Sequence, residues 1–119
     1  MARVRRYMLV EAATFVVAAA IHGGFLISGY EHREARIAET AIAVVLLGGV
    51  TLSWIRPALT RTAGLAAQGF ALFWTLVGIA TIVLGIGPRT PGDIAYHIAI
   101  VAVLVRGLLV ARRARIPEA

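Results

Sequence analysis

Long apolar segments separated by short polar interruptions run along the whole chain. Apolar residues dominate positions 7–28, 37–55, 62–86 and 94–111, and few residues lie between or outside these ranges. A helix needs about 20 mostly apolar residues to cross a bilayer, and in hydrocarbon it satisfies its own backbone hydrogen bonds. The pattern therefore predicts an all-α, polytopic membrane protein that forms one domain, 1–119, with four transmembrane helices.

The connections between these segments are short and contain residues that end helices. Pro57 follows the second segment, and a run rich in glycine and proline, from Gly85 to Gly92, follows the third. Such residues mark turns, and short turns make consecutive helices antiparallel neighbours. The expected architecture is an up-down-up-down bundle, with Asp93 as a cap at the start of the fourth helix.

Small residues recur at every fourth position of the third segment, at Ala63, Ala67, Ala71 and Thr75. This spacing places them on one helix face, where they allow another helix to approach closely. The stripe predicts tight packing within the chain or, alternatively, the seam of a homo-oligomer.

Composition supports the membrane interpretation. Hydrophobic residues make up 60% of the chain, and the mean hydropathy is +0.84. A soluble domain has about 45–50% apolar residues. Cysteine is absent, which excludes disulfides and thiolate ligands.

The arginines predict an orientation. Eight lie on the side that the topology assigns to both termini, whereas Arg33, Arg36 and Arg89 lie on the other; the eight are Arg3, Arg5, Arg6, Arg56, Arg61, Arg112, Arg113 and Arg115. Because positive residues favour the cytoplasmic side, both termini are expected there, in a bacterial inner membrane. The net charge of +6 then reflects contact with anionic lipid headgroups and not with nucleic acid.

Ionisable side chains gather near the opposite side. His22, Glu39 and His97 come from three helices and are predicted at similar depth. Imidazole and carboxylate groups suit divalent transition metals such as Zn, Fe or Cu. The leading hypothesis is therefore a metal site held by these three residues, with His32 as a fourth ligand.

Two neighbours would complete this metal site. Asp93 lies four residues before His97, so the two share a helix face and the carboxylate would orient the imidazole. Tyr96 is adjacent to His97 in sequence and belongs to the same surroundings. A haem site is a second hypothesis for the histidines, in which His22 and His97 bind one iron from opposite sides.

Two further side chains belong to the other half of the membrane. Glu11 shares a face of the first helix with His22, about 16 Å away along the axis, and chains of Glu and His mark proton relays. A proton- or ion-coupled transporter or relay is therefore an alternative function. Arg106 is expected at the depth of Glu11, and the two would form an ion pair or a clamp for an anionic lipid or substrate.

Two alternatives assign no chemistry to these residues. The polar groups could satisfy one another and fix the register of the bundle, and the chain could be a non-catalytic accessory subunit of a larger membrane complex. Whether the protein is an enzyme stays open.

The chain resembles small four-helix bacterial integral membrane proteins. The residues that carry this resemblance are Ile-His-Gly-Gly-Phe at 21–25, Gly-Tyr-Glu-His-Arg at 29–33, Ala-Glu-Thr at 38–40 and Tyr-His at 96–97. The resemblance implies the fold and the membrane location, and it implies no reaction.

Overall fold

The computed structural model describes residues 1–115, which form four α-helices joined by short connections. The helices are α1 (Ala2–His22), α2 (Arg33–Ile55), α3 (Thr60–Val83) and α4 (Pro91–Arg113), and a 3₁₀ turn, Pro57–Leu59, joins α2 to α3. The prediction of an all-α protein is confirmed.

Side-chain contacts show that α1 runs antiparallel to its neighbours. Near its start, Arg5 donates to both Oγ and the carbonyl of Ser53 at the end of α2. At its other end, His22 contacts Glu39 and Asp93, near the starts of α2 and α4. Consecutive helices pack side by side, and α1 also contacts α4, which closes the bundle.

The two ends of the bundle differ in chemistry. The arginine end holds the start of α1, the turn between α2 and α3, and the end of α4. The histidine end holds the loop 23–32, the loop 84–90, and all three histidines of the chain.

The helices that precede the two loops at the histidine end, α1 and α3, end in the same way. Gly24 adopts φ of +78° after α1, and Gly85 adopts φ of +81° after α3. In each case the next residue donates a backbone hydrogen bond five residues back, from Phe25 to Ala20 and from Ile86 to Thr81. This is the Schellman motif, which favours glycine because the left-handed conformation is strained for other residues.

Several helix boundaries differ from the predicted ones: α1 begins at Ala2 and not near 7, and α3 ends at Val83 and not near 86. Three other boundaries differ for local reasons. α1 ends at His22 and not near position 28, because Gly24 reverses the backbone. α2 begins at Arg33 and not near 37, because His32 caps it by accepting from the Ala35 amide. α4 begins at Pro91 and not near 94, because Thr90 is its cap and Pro91 suits the first helical position.

The core is apolar and depends on small residues. Met8, Leu46 and Leu104 are fully buried, and the small-residue stripe of α3 lies inside the bundle. A Cβ atom at Gly49 would lie 2.9 Å from that of Ala67. α2 and α3 therefore approach closely where the stripe faces glycine, as small-residue helix packing requires.

The outer surface is apolar, as expected for lipid contact. Val44, Phe73 and Ile98 are 63%, 60% and 67% exposed. α2, α4 and the segment from Pro57 to Val83 are long and apolar enough to cross a membrane. α1 differs because every stretch of 18 residues within it contains Arg5, Arg6 and Glu11.

Candidate functional site

Three buried ionisable side chains meet at the histidine end. His22 is the last residue of α1, Glu39 lies in the second turn of α2, and Asp93 lies in the first turn of α4. Their exposures are 5%, 6% and 5%. Burial of ionisable groups away from water costs free energy unless the groups pair with one another.

The imidazole of His22 bridges the two carboxyl groups. Its Nδ1 lies 2.8 Å from Oε2 of Glu39, and its Nε2 lies 2.9 Å from Oδ1 of Asp93. A hydrogen must lie in each contact, because two facing lone pairs would repel. These three residues, the carboxylate–histidine chain, therefore share two protons. Two carboxylates and one imidazolium carry a net charge of −1.

Helix ends support this arrangement of charge. His22 lies in the last turn of α1, where the helix dipole favours a cation, and Asp93 lies in the first turn of α4, where it favours an anion. The second oxygen of Asp93 accepts from the Thr90 hydroxyl at 2.6 Å and from the Thr90 amide at 3.1 Å. Asp93 is therefore held in place from two directions.

The loop after α1 positions the histidine. The His32 amide donates to the carbonyl of His22 at 2.9 Å, so the loop closes back onto the end of α1. The rings of His22 and His32 lie 6.5 Å apart, edge to face. His32, which caps α2, is thereby hydrogen-bonded to His22, which bridges the two carboxyl groups.

His97 and His32 do not join His22 as ligands of one site. Nδ1 of His97 lies 2.7 Å from the carbonyl of Asp93, so this nitrogen is the donor. Nδ1 of His32 instead accepts from the Ala35 amide at 3.2 Å. Both ring nitrogens of His22 already face carboxyl groups.

The expectation that Asp93 orients His97 through its carboxylate is therefore corrected. The carboxylate faces His22, and His97 is oriented by the Asp93 carbonyl. The reason is the early start of α4, which turns the Asp93 side chain toward the Thr90 cap and α1.

Within residues 1–115, no group of three or more His, Asp or Glu side chains is arranged to hold a metal ion. The predicted metal site at His22, Glu39, His97 and His32 is thus not supported by the described geometry. The predicted haem between His22 and His97 would require His22 to give up one of its two carboxyl contacts.

Two cavities flank the carboxylate–histidine chain. The α1–α4 groove, of about 510 Å³, reaches His22 and Asp93. The inner cavity, of about 340 Å³, lies among α2, α3 and α4 and reaches Glu39, His32 and His97. The chain of hydrogen bonds from Asp93 through His22 to Glu39 therefore links one cavity to the other.

Tyr96 lines both cavities. Its hydroxyl is buried and has no hydrogen-bond partner in the described part of the chain. Its ring packs edge to face on Phe15 and on His97, with centroids 6.3 and 5.5 Å apart. It separates the groove from the inner cavity beside the carboxylate–histidine chain.

A second polar layer lies toward the arginine end. Glu11 and Gln68 are fully buried, and neither the carboxyl oxygens nor the amide atoms have a hydrogen-bond partner among residues 1–115. Both side chains approach Gly107 so closely that a Cβ there would collide with them. Gly107 is therefore the residue of α4 that makes room for this layer.

The expected ion pair between Glu11 and Arg106 does not form. Nε of Arg106 donates to the hydroxyl of Tyr7 at 2.8 Å, in an exposed position. The two residues are close in depth, but Arg106 points outward while Glu11 points into the bundle. Arg106 thereby ties the two helices together on the surface.

Asp93 was expected to cap α4, but the cap is Thr90, and Asp93 is the third residue of a capping box. The Thr90-Pro91-Gly92-Asp93 segment carries a signal for Thr90, because a hydroxyl residue three positions before an acidic one, with proline between, is typical of a capping box. No spacing in the sequence indicates that Gln68 on α3 and Glu11 on α1 approach the same residue of α4, Gly107.

Comparisons with protein-family models, with curated proteins and with solved structures find no match to this chain.

Proposed function

We propose that this protein crosses the bilayer with all four helices and works as a proton- or ion-coupled transporter. In this proposal the arginine end faces the cytoplasm, which follows the positive-inside rule. α1 is included because it packs along both α2 and α4 and exposes apolar residues such as Val10 and Val16. Its arginines lie in its first two turns, where they can reach the headgroups.

One observation carries the functional part of the proposal. Each ring nitrogen of His22 faces a buried carboxyl group, and the resulting hydrogen-bonded chain lies between two cavities. Linked imidazole and carboxyl groups at membrane depth are the side chains that transporters use to take up and release protons. The inner cavity supplies the route to solvent, because His32 and Glu34 on its wall are 25% and 76% exposed.

The structure favours coupled transport over a continuous proton wire. By the antiparallel register, Phe15, Leu46 and Ile100 lie between the carboxylate–histidine chain and Glu11, and they are 2%, 0% and 2% exposed. An apolar layer of this kind leaves no polar group to pass a proton. A proton can therefore cross only when helix movement opens the carboxylate–histidine chain to one side of the membrane and then to the other. A carrier of this kind moves protons under a membrane potential even without its second substrate.

Proton flux into liposomes tests the proposal. The protein is reconstituted with an internal pH dye, and a potassium gradient with valinomycin drives protons across the membrane. Glu39→Gln keeps a hydrogen-bonding group next to His22 but cannot ionise. We expect it to lower the flux at least about tenfold, which corresponds to about 1.4 kcal/mol of barrier.

Glu31→Gln is the matched control for Glu39→Gln. Glu31 is exposed, lies at the same end of the bundle and lines neither cavity. Its flux should equal that of the wild type. Equal flux in all three proteins, or wild-type flux no higher than that of empty liposomes, would reject the proposed proton site.

A further inference from the structure

The α1–α4 groove opens sideways between two helices and ends at the carboxylate–histidine chain. Its wall is mostly apolar and includes Ala13, Val17, Ile21 and Ile27. Val17 is 50% exposed on the outer surface of the bundle. In a bundle that crosses the bilayer, the groove therefore opens toward the lipid. A molecule that enters from the bilayer therefore meets an apolar wall first and a charged end second.

The charged end of the groove is negative. Within the described residues, His22 is the only basic side chain within 4.0 Å of the Glu39 or Asp93 carboxyl. The carboxylate–histidine chain thus keeps its net charge of −1. The partial positive charge of the helix dipole at the start of α4 offsets this charge only in part. An anionic lipid headgroup is repelled by this charge, and a cation is attracted to it.

We infer that the groove binds a lipophilic cation, such as a hydrophobic amine, and exchanges it for the proton of the carboxylate–histidine chain. The inference rests on the proposed function and names the substrate class of the same site. The apolar body of the ligand packs against α1 and α4, and its charge lies next to Asp93. The proton on Nδ1 of His22 passes to Glu39 and leaves through the inner cavity. One positive charge enters and one leaves, so the charge of the site is conserved.

Two probes of equal size and opposite charge test the charge preference. Tetraphenylphosphonium and tetraphenylborate share a shape and differ in sign. Binding of each to the purified protein in nonionic detergent is measured by equilibrium dialysis, with protein-free micelles subtracted. We expect the phosphonium to bind more tightly, and to release about one proton per cation into weakly buffered solution, because the two ligands compete for one site.

A pair of matched substitutions tests the location. Val17→Trp fills the groove, whereas Val44→Trp makes the same change at a similarly exposed position of α2, outside both cavities. Both positions are on the surface, so both variants should fold. We expect Val17→Trp to weaken phosphonium binding at least about tenfold, or about 1.4 kcal/mol. Val44→Trp should leave it unchanged.

The outcomes separate this inference from the proposed function. Loss of phosphonium binding in Val17→Trp alone, together with proton release, supports the inference. Equal binding of the two probes, an equal effect of both tryptophan variants, or binding without proton release overturns it. A wild-type protein that conducts protons into liposomes but does not bind the phosphonium also overturns the inference, and it leaves the proposed proton site intact.

Discussion

Nδ1 of His22 lies 2.8 Å from Oε2 of Glu39, although the two residues come from helices that run in opposite directions. Asp93 occupies the other ring nitrogen at 2.9 Å. One imidazole thus joins three helices, and each carboxyl group depends on it for a charge partner. Removal of the imidazole leaves both carboxyl groups buried without a cation between them, whereas removal of one carboxyl group leaves His22 paired with the other.

We expect His22→Ala to destabilise the protein strongly. The variant leaves two buried carboxyl groups without a cation between them, and loss of one partner from a buried pair costs about 3–5 kcal/mol. The free energy of unfolding, measured by titration with SDS from mild detergent, should fall by about this amount. His32→Asn serves as a control, because asparagine also caps helices and His32 is one-quarter exposed. A fall of similar size in both variants would contradict the role assigned to His22.

The meeting of His22, Glu39 and Asp93 was partly predictable from the sequence. The alternation of apolar segments and turns fixes the depth of each residue, because a helix advances about 1.5 Å per residue. Depth alone brought these groups to the same end of the bundle. The pairing of atoms was not predictable, because it depends on the helix boundaries. The cap at Thr90 begins α4 three residues early and directs Asp93 to His22.

The failed pairing of Glu11 with Arg106 has a related cause. The sequence indicates that both residues lie toward the arginine end, but it does not fix the direction of each side chain around its helix axis. Glu11 faces Gln68 and Gly107, whereas Arg106 reaches Tyr7 on the surface. Residues at the same depth on adjacent helices contact each other only when their directions also agree.

Thr90→Ala should destabilise α4 at its start. The hydroxyl accepts from the Asp93 amide at 3.1 Å and donates to the Asp93 carboxylate at 2.6 Å. Loss of a capping residue costs about 1 kcal/mol, and we expect this decrease in the free energy of unfolding. Thr40→Ala is the control, because Thr40 is exposed and donates only to the carbonyl of Arg36 within its own helix. Equal stability of the two variants would show that the cap does not hold Asp93.

Glu→Gln substitutions should have opposite effects in the two polar layers. At pH 8 the buried Glu11 carboxyl is either ionised or protonated. The ionised form costs free energy because it is removed from water, and the protonated form costs free energy because a carboxyl group in solution is ionised at this pH. Glu11→Gln removes that cost, so we expect the free energy of unfolding at pH 8 to rise by about 1 kcal/mol, at the low end of the cost of an unpaired buried group. Glu39→Gln should lower it, because the charge that faces His22 is lost. A decrease in both variants would show that Glu11 has a charged partner.

Gly107→Ala tests the crowding around Glu11 directly. A Cβ at this position would collide with Oε1 of Glu11 and Oε1 of Gln68, and extra atoms in a packed core cost about 1–3 kcal/mol. Gly48→Ala and Gly69→Ala are the matched controls, since a Cβ at either position meets nothing within 4 Å. Both lie within helices, where alanine is favoured over glycine by about 1 kcal/mol, so these variants should unfold at higher SDS concentrations than the wild type.

The Gly107→Ala and Glu11→Ala changes should also be non-additive, because the shorter side chain removes one of the two collisions. Additive effects would mean that Glu11 does not contact Gly107, and the second polar layer would then have a different arrangement.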